Sequence, residues 1–386
     1  MDMSCLLAGT ELAGGVRIRG GHAAHDGMVE YLAGHLGLPV SWWHELPASE
    51  GTTAFVLAAE ALETLMPGYD TLGLGVLLGL GGLGGLSGLG GPADPDRALD
   101  REIAVALLGS PHPPVFDSAQ AFASHVRVQR RISQAARDTA VAFKTLAAER
   151  PEGYWTYVED AGFLLTEDTG LVEALRAATQ PSVTGRLYDF SCYRASEYVI
   201  LLGMAQELAD CDPALLAKLE SRSRRRAIRS REFHDVFLDE YGSLEQPLPP
   251  RYFVPGDRLW FRNPDARSSD ALGYEGSWVV YLGGGLFSNF WKSSHPYTLE
   301  EKCLEIFHWR DGAYCDDAGE WQMDESRVEE LVARTRADEP RRREVMQRML
   351  RMRDPQGVYA EGGCLDASRE RAKPVWPGAG RLHFQA

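Results

Sequence analysis

The chain has 386 residues, enough for two or three domains with a substantial core, and its 44% hydrophobic and 25% charged content is that of an ordinary globular protein. A formal net charge of −15 argues against nucleic acid as a main partner, since a phosphate backbone would repel such a surface. The six cysteines, Cys5, Cys192, Cys211, Cys303, Cys315 and Cys364, include no C-x-x-C pair, which speaks against a zinc ribbon or thioredoxin-like motif and reads as reduced thiols. Met1 to Gly20 shows no basic segment followed by an apolar run, so the expected location is the cytoplasm, or outside the cell after export without a cleavable signal peptide.

Residues 1–70 read as a small α/β region with an amphipathic helix over Thr53 to Leu65. His22 and His25 are spaced for one helix face, but with His35 and His44 they find no acidic or thiol cluster, and surface histidines are the expectation. Thr71 to Gly91 holds ten Gly and eight Leu without a charge. Its length suits a membrane span, yet its glycine density costs helix stability, so a Gly/Leu- and Pro-rich linker over 71–112 is expected, with membrane contact through 71–91 as the alternative.

A long helix is expected over Ser118 to Ala148, from apolar residues at three- and four-residue steps, followed by a strand or aromatic turn at Gly153 to Val158 and a short helix at Leu171 to Thr179. Cys192 then precedes the apolar run Tyr198 to Ala205, which puts it at the first turn of a buried helix. Free N–H groups and the helix dipole favour a thiolate there. The six arginines of Ser221 to Arg231 read as a solvated helix face, with an anionic ligand or partner as the alternative. Strands are expected at Arg258 to Phe261, Ser277 to Leu282 and, past a Gly283-Gly284-Gly285 turn, Leu286 to Trp291. Thr298 and Glu301 form a capping box, and Arg341 to Arg353 is an amphipathic helix.

A cysteine at the start of a helix packed on a small antiparallel sheet resembles the papain-like arrangement, as in bacterial cell-wall peptidases of the NlpC type. The closer resemblance is to the bacterial spore-coat transglutaminase family, protein-glutamine γ-glutamyltransferases. Phe190-Ser191-Cys192 is similar to that family's Phe-Glu-Cys. Gly256-Asp257-Arg258-Leu259-Trp260-Phe261-Arg262-Asn263-Pro264 is similar to its Gly-Asp-x-Leu-Tyr-Phe-x-Asn-Pro, and Gly276 to Gly283 to its Gly-Glu-Asn-Val-Ile-x-Leu-Gly. Phe143-Lys144-Thr145-Leu146 and Tyr154-Trp155 add to the likeness. The resemblance implies an α+β fold, with a transglutaminase-like core at 113–318 and a helical C-terminal extension at 319–386. It also implies glutamine acyl transfer through a thioester on Cys192, ended by lysine in crosslinking or by water in deamidation, with no metal or organic cofactor. The partners are proteins bearing glutamine and lysine side chains. The added segments suit a larger modified enzyme or a bacterial toxin, and the Arg/Ala/Gly-rich composition suits a GC-rich bacterial genome.

The family's acid and base positions have changed. Ser277 stands where the family carries a carboxylate, Asn289 where it carries a histidine, and Ser191 where it carries the Glu before Cys. Three readings follow. The acid–base group has migrated, with Glu275, His295, His308 and His234 as candidates. Or Cys192 works with backbone N–H groups as an oxyanion hole, Asn289 orienting a group or donating a hydrogen bond. Or the site is inactive and the fold is a binding or structural module. A papain-like cysteine amidase or peptidase is a further alternative, disfavoured by Ser277.

Overall fold

The computed structural model describes residues 14–47, 51–79, 94–142, 148–353, 363–378 and 382. Strands β1 (Val16–Arg19), β2 (Trp43–Pro47), β3 (Thr52–Leu57) and β4 (Val115–Phe116) form a sheet ordered β2-β3-β1-β4, in which β3 is antiparallel to both neighbours and β4 is parallel to β1. The helix expected over 53–65 is divided into β3 and a shorter helix, Ala59–Leu65. β-Branched Thr52, Thr53 and Val56 suit a strand, and pairing on both edges outweighs the helical periodicity. This sheet shares one core with helix Pro95–Leu108 and the first half of helix Ala119–Asp138.

Residues 71–79 are docked rather than forming the flexible linker expected of them. The Thr71 hydroxyl donates to the Phe253 carbonyl at 2.8 Å, and Leu74 and Leu78 are buried. A Cβ on Gly75 would sit 2.6 Å from the Gly284 Cα, so this approach admits only glycine. Residues 80–91 of the Gly/Leu segment lie outside the described residues.

Helix Ala119–Asp138, capped by the Ser118 hydroxyl on the Ala121 N–H, ends well before residue 148. The chain becomes extended at Thr139, because its backbone is engaged elsewhere: Val141 donates to the Phe290 carbonyl, Ala142 to that of Tyr188, and Phe190 returns a bond to Ala142. This ladder fixes the approach to Cys192. Phe143 to Leu146 lies outside the described residues.

Strand β5 (Trp155–Val158) and helix Leu171–Thr179 follow the sequence expectation, and β5 pairs in a hairpin with β6 (Gly162–Leu165), which the sequence reading did not include. Helix Cys192–Cys211 packs along helix Ala119–Asp138, and a Cβ on Gly203 would lie 2.7 Å from the Ile132 backbone nitrogen, so the crossing is backbone-close. The arginine run is not one solvated helix face. It spans the end of helix Pro213–Ser223, a turn, and the start of helix Ser230–Phe237; Arg222 is buried, and Glu232 draws in both Arg222 and Arg226.

The main sheet contains β7 (Leu238–Tyr241), β8 (Arg258–Arg262), β9 (Gly276–Gly283), β10 (Leu286–Phe287) and β11 (Tyr297–Thr298). Beyond it come helix Leu299–Gly312, hairpin β12 (Ala313–Cys315) and β13 (Trp321–Met323), helices Glu325–Ala337 and Glu339–Met349, and β14 (Arg369–Ala372). The sheet order is β11-β10-β9-β8-β14-β7, antiparallel throughout. β14 is inserted between β8 and β7, so 319–386 is not helical alone. β10 is shorter than the strand expected to reach Trp291, because Asn289 turns the chain: its side-chain oxygen accepts from the Lys292 N–H at 3.1 Å and its amide donates to the His295 carbonyl at 3.0 Å. The capping box forms in full, the Thr298 hydroxyl accepting from the Glu301 N–H and the Glu301 carboxylate from the Thr298 N–H.

The Gly-Asp and Asn-Pro stretches act on the architecture. Gly256 has φ 90°, and an added Cβ would strike the Gln129 carbonyl oxygen at 2.5 Å. Asp257, fully buried, accepts from the Gln129 amide at 2.6 Å and pairs with Arg371 at 3.2 Å, tying the long helix and β14 to β8. Asn263 donates to the Tyr274 carbonyl and accepts from the Asp265 N–H, shaping the loop that returns the chain to the start of β9.

Candidate active site

Ser191 caps the Cys192 helix, its hydroxyl accepting from the Arg194 N–H at 3.2 Å, so Cys192 is the first helical residue. The thiol is half-buried and faces the start of β9. Burial pushes the Cys192 thiol up. The N–H groups of Trp278 and Tyr193 and the charge of Lys302 act the other way, while Glu275 adds to the rise, and burial prevails.

Of the acid–base candidates, Glu275 acts on Cys192 through its charge. It is exposed, just before β9, and its charge reaches the thiol. Ser277 is half-buried and paired with Phe261 across β8 and β9. Asn289 spends its amide on the 289–295 loop. His295 is exposed, with its Nδ1 2.7 Å from the Ser294 hydroxyl. His308 is buried between helices, one ring nitrogen on Asp311 at 2.9 Å and the other on Thr335 at 2.7 Å. His234 faces Glu370 at 3.2 Å, the carboxylate that also bonds Arg258.

The residue missing from the sequence reading is Lys302. It lies in the first turns of helix Leu299–Gly312 and is only 3% exposed, which for a lysine requires compensation. Its Nζ sits 4.1 Å from the Tyr297 ring centroid and 3.0 Å from a Glu305 carboxylate oxygen, and Glu305 and Cys192 both favour its charged form. An ammonium is thereby held within electrostatic reach of the sulfur.

Aromatic rings support the two N–H groups. Tyr193 meets Trp278 edge-on at 5.0 Å, and Trp278 stacks on Trp260 at 5.7 Å. Fully buried Arg258 lies 4.8 Å from the centroids of both Tyr193 and Trp278, and bonds Glu370 and the Ser196 hydroxyl.

Fold and site together define a transglutaminase-like α+β core, with a thiol-bearing helix against an antiparallel sheet. A family model described as protein-glutamine gamma-glutamyltransferase matches residues 91–368, and the chain belongs to that family. Among solved structures it is similar to a transglutaminase from Geobacillus stearothermophilus without its C-terminal extension, at 20% identity and a TM-score of 0.39, over 55% of this chain and 97% of that one. No curated protein matches the chain.

Proposed function

We propose that the chain is a protein-glutamine acyltransferase that works through a thioester on Cys192. The observation that carries this reading is the half-buried thiol at the first helical residue, faced by the Trp278 and Tyr193 N–H groups and by the charge of Lys302. Cys192 rests as the thiol. Glu275 takes its proton, and on doing so ceases to oppose the developing thiolate, which Lys302 stabilises. The sulfur attacks the γ-carbonyl carbon of glutamine, and the two N–H groups serve the resulting oxyanion. The proton held by Glu275 passes to the departing nitrogen, the C–N bond breaks, and ammonia leaves. A lysine amine or water then attacks the thioester and restores the thiol, giving an isopeptide bond or a glutamate.

A second reading, an inactive binding module, draws on the raised thiol and on the engagement of Asn289 and His308 away from the sulfur. Ammonia release from a glutamine-rich protein separates the two. Release that disappears in Cys192→Ala supports acyl transfer, and uptake of a primary amine distinguishes crosslinking from deamidation. No release from the folded native chain supports the module.

A further inference from the structure

Glu370 lies directly opposite Arg258 where β14 pairs with β8, and Arg258 lies opposite Val280 on β9, two residues from Trp278. Alternate residues of a strand share a face, so Glu370, Arg258 and Trp278 form a row across three neighbouring strands on one face of the sheet. The Cys192 helix lies over that row: it brings Tyr193 edge-on to Trp278, and the Ser196 hydroxyl to 3.3 Å from an Arg258 nitrogen.

The charges along the row are unevenly supplied. Arg258 has no exposed surface, and among the described residues its one ion pair is with Glu370, whose Oε2 accepts from Nε at 2.5 Å. Glu197, on the Cys192 helix, also acts on Arg258, but burial pushes its pKa up to about 7 and its carboxylate bonds Arg194 at 2.5 Å. The Glu370 side chain is 12% exposed, and its other oxygen faces the His234 Nε2 at 3.2 Å. A buried guanidinium deprived of its anion moves toward whatever charge or water remains. For Arg258 that means leaving the Tyr193 and Trp278 rings, each 4.8 Å from it.

We propose that Glu370 is a positioning residue for the Cys192 site, holding Arg258 in place and through it the Trp278 and Tyr193 N–H groups that face the sulfur. A strand beyond the core expected at 113–318 thereby sets the geometry at the thiol. The effect on turnover rests on the acyl-transfer reading of Cys192; the effect on the thiol itself does not.

The test follows alkylation of Cys192 by iodoacetamide in the full-length chain between pH 7 and 10, read by peptide mass mapping because other thiols, Cys315 among them, are exposed. The rate tracks the thiolate fraction, and the Trp278 and Tyr193 N–H groups favour that form. Glu370→Gln keeps the size and the acceptor oxygen and loses the charge. It should move the profile up by about half to one pH unit and so lower the rate at pH 8 by about three- to tenfold. Glu370→Ala should lower it at least as far. Asp366→Asn, which loosens the bond to Arg353 ahead of β14 without touching Arg258, should leave the profile in place. An unmoved profile in folded Glu370→Gln, or an equal shift in Asp366→Asn, overturns the positioning role. Ammonia release from a glutamine-rich protein is scored separately. With the native chain active, Glu370→Gln should lower kcat by a similar factor at unchanged KM, and an effect on KM alone overturns the role. A shifted alkylation profile with no ammonia release from the native chain overturns the acyl-transfer reading and supports the hold of Glu370 on the two N–H groups.

Discussion

Arg258 lies 4.8 Å from the ring centroid of Trp278, the residue whose N–H faces the Cys192 sulfur, and it meets Tyr193 at the same distance. One buried guanidinium thus clamps both residues that present N–H groups to the Cys192 sulfur. Its Nη2 has no partner among the described residues, so cation–π contact and the bonds to Glu370 and the Ser196 hydroxyl hold it. Arg258→Met should lower kcat by about tenfold or more with little change in KM, because misplaced donors weaken the transition state more than substrate binding. Arg258→Lys should recover only part, since an ammonium cannot lie flat against two rings. A fall in KM-dependent binding with kcat intact would contradict this positioning role.

A thiol pushed up by burial places the alkaline limb of activity above the ordinary cysteine range of about 8.5. The rate should still be rising at pH 9, where an enzyme with a preformed thiolate–imidazolium pair would be flat. Lys302→Met removes the charge that favours the thiolate, so the limb should move further up and activity at pH 7 should fall. Single-turnover thioester formation measured against pH in both proteins checks the sign, and an unmoved limb would remove Lys302 from the site.

Glu102 is fully buried, accepts from the Tyr281 hydroxyl at 3.0 Å and the Gly284 N–H, and has a pKa pushed up to about 7 by burial. A raised carboxyl pKa means that the folded state holds a proton the unfolded state has released. Stability from this group is therefore full below about 4.5 and falls as pH rises to about 7, by up to about 3 kcal/mol. Glu102→Gln should flatten that slope in urea melts between pH 5 and 8.

Asp257 and Arg371 are both buried and paired at 3.2 Å, joining β8 to β14. Asp257→Ala leaves a guanidinium buried without its anion and should cost about 3–5 kcal/mol. Replacing both partners by Asp257→Leu and Arg371→Met should cost less than the single change. Chemical denaturation of the three proteins tests this ordering.

The Cys192 helix was legible because its signals are local: a capping serine, a thiol and an apolar run occupy consecutive positions. The capping box at Thr298 and the strands at Arg258 and Gly276 were legible for the same reason. The strand Arg369–Ala372 was not. Its sequence, Arg-Glu-Arg-Ala, reads as solvated surface, yet it fills the sheet interior because each charge meets a distant partner: Arg371 on Asp257, Glu370 on Arg258, and Arg369 over the Phe253 ring at 4.7 Å.

By itself, then, the chain's order of residues determined the place of Cys192 at a helix start and the α+β class, since caps, turns and periodicity act over a few residues. The tertiary structure decided what surrounds the sulfur. Lys302 and Cys192 are far apart in sequence, and only the succession β9-β10-β11 and the helix that follows it bring that ammonium toward the thiol. Asn289 sits where a register counted from the glycine turn would put a catalytic group, but its amide closes the loop to Lys292 and His295, because a buried amide must satisfy its hydrogen bonds within reach. Proximity between distant side chains is set by sheet order and helix packing, and no local pattern records it.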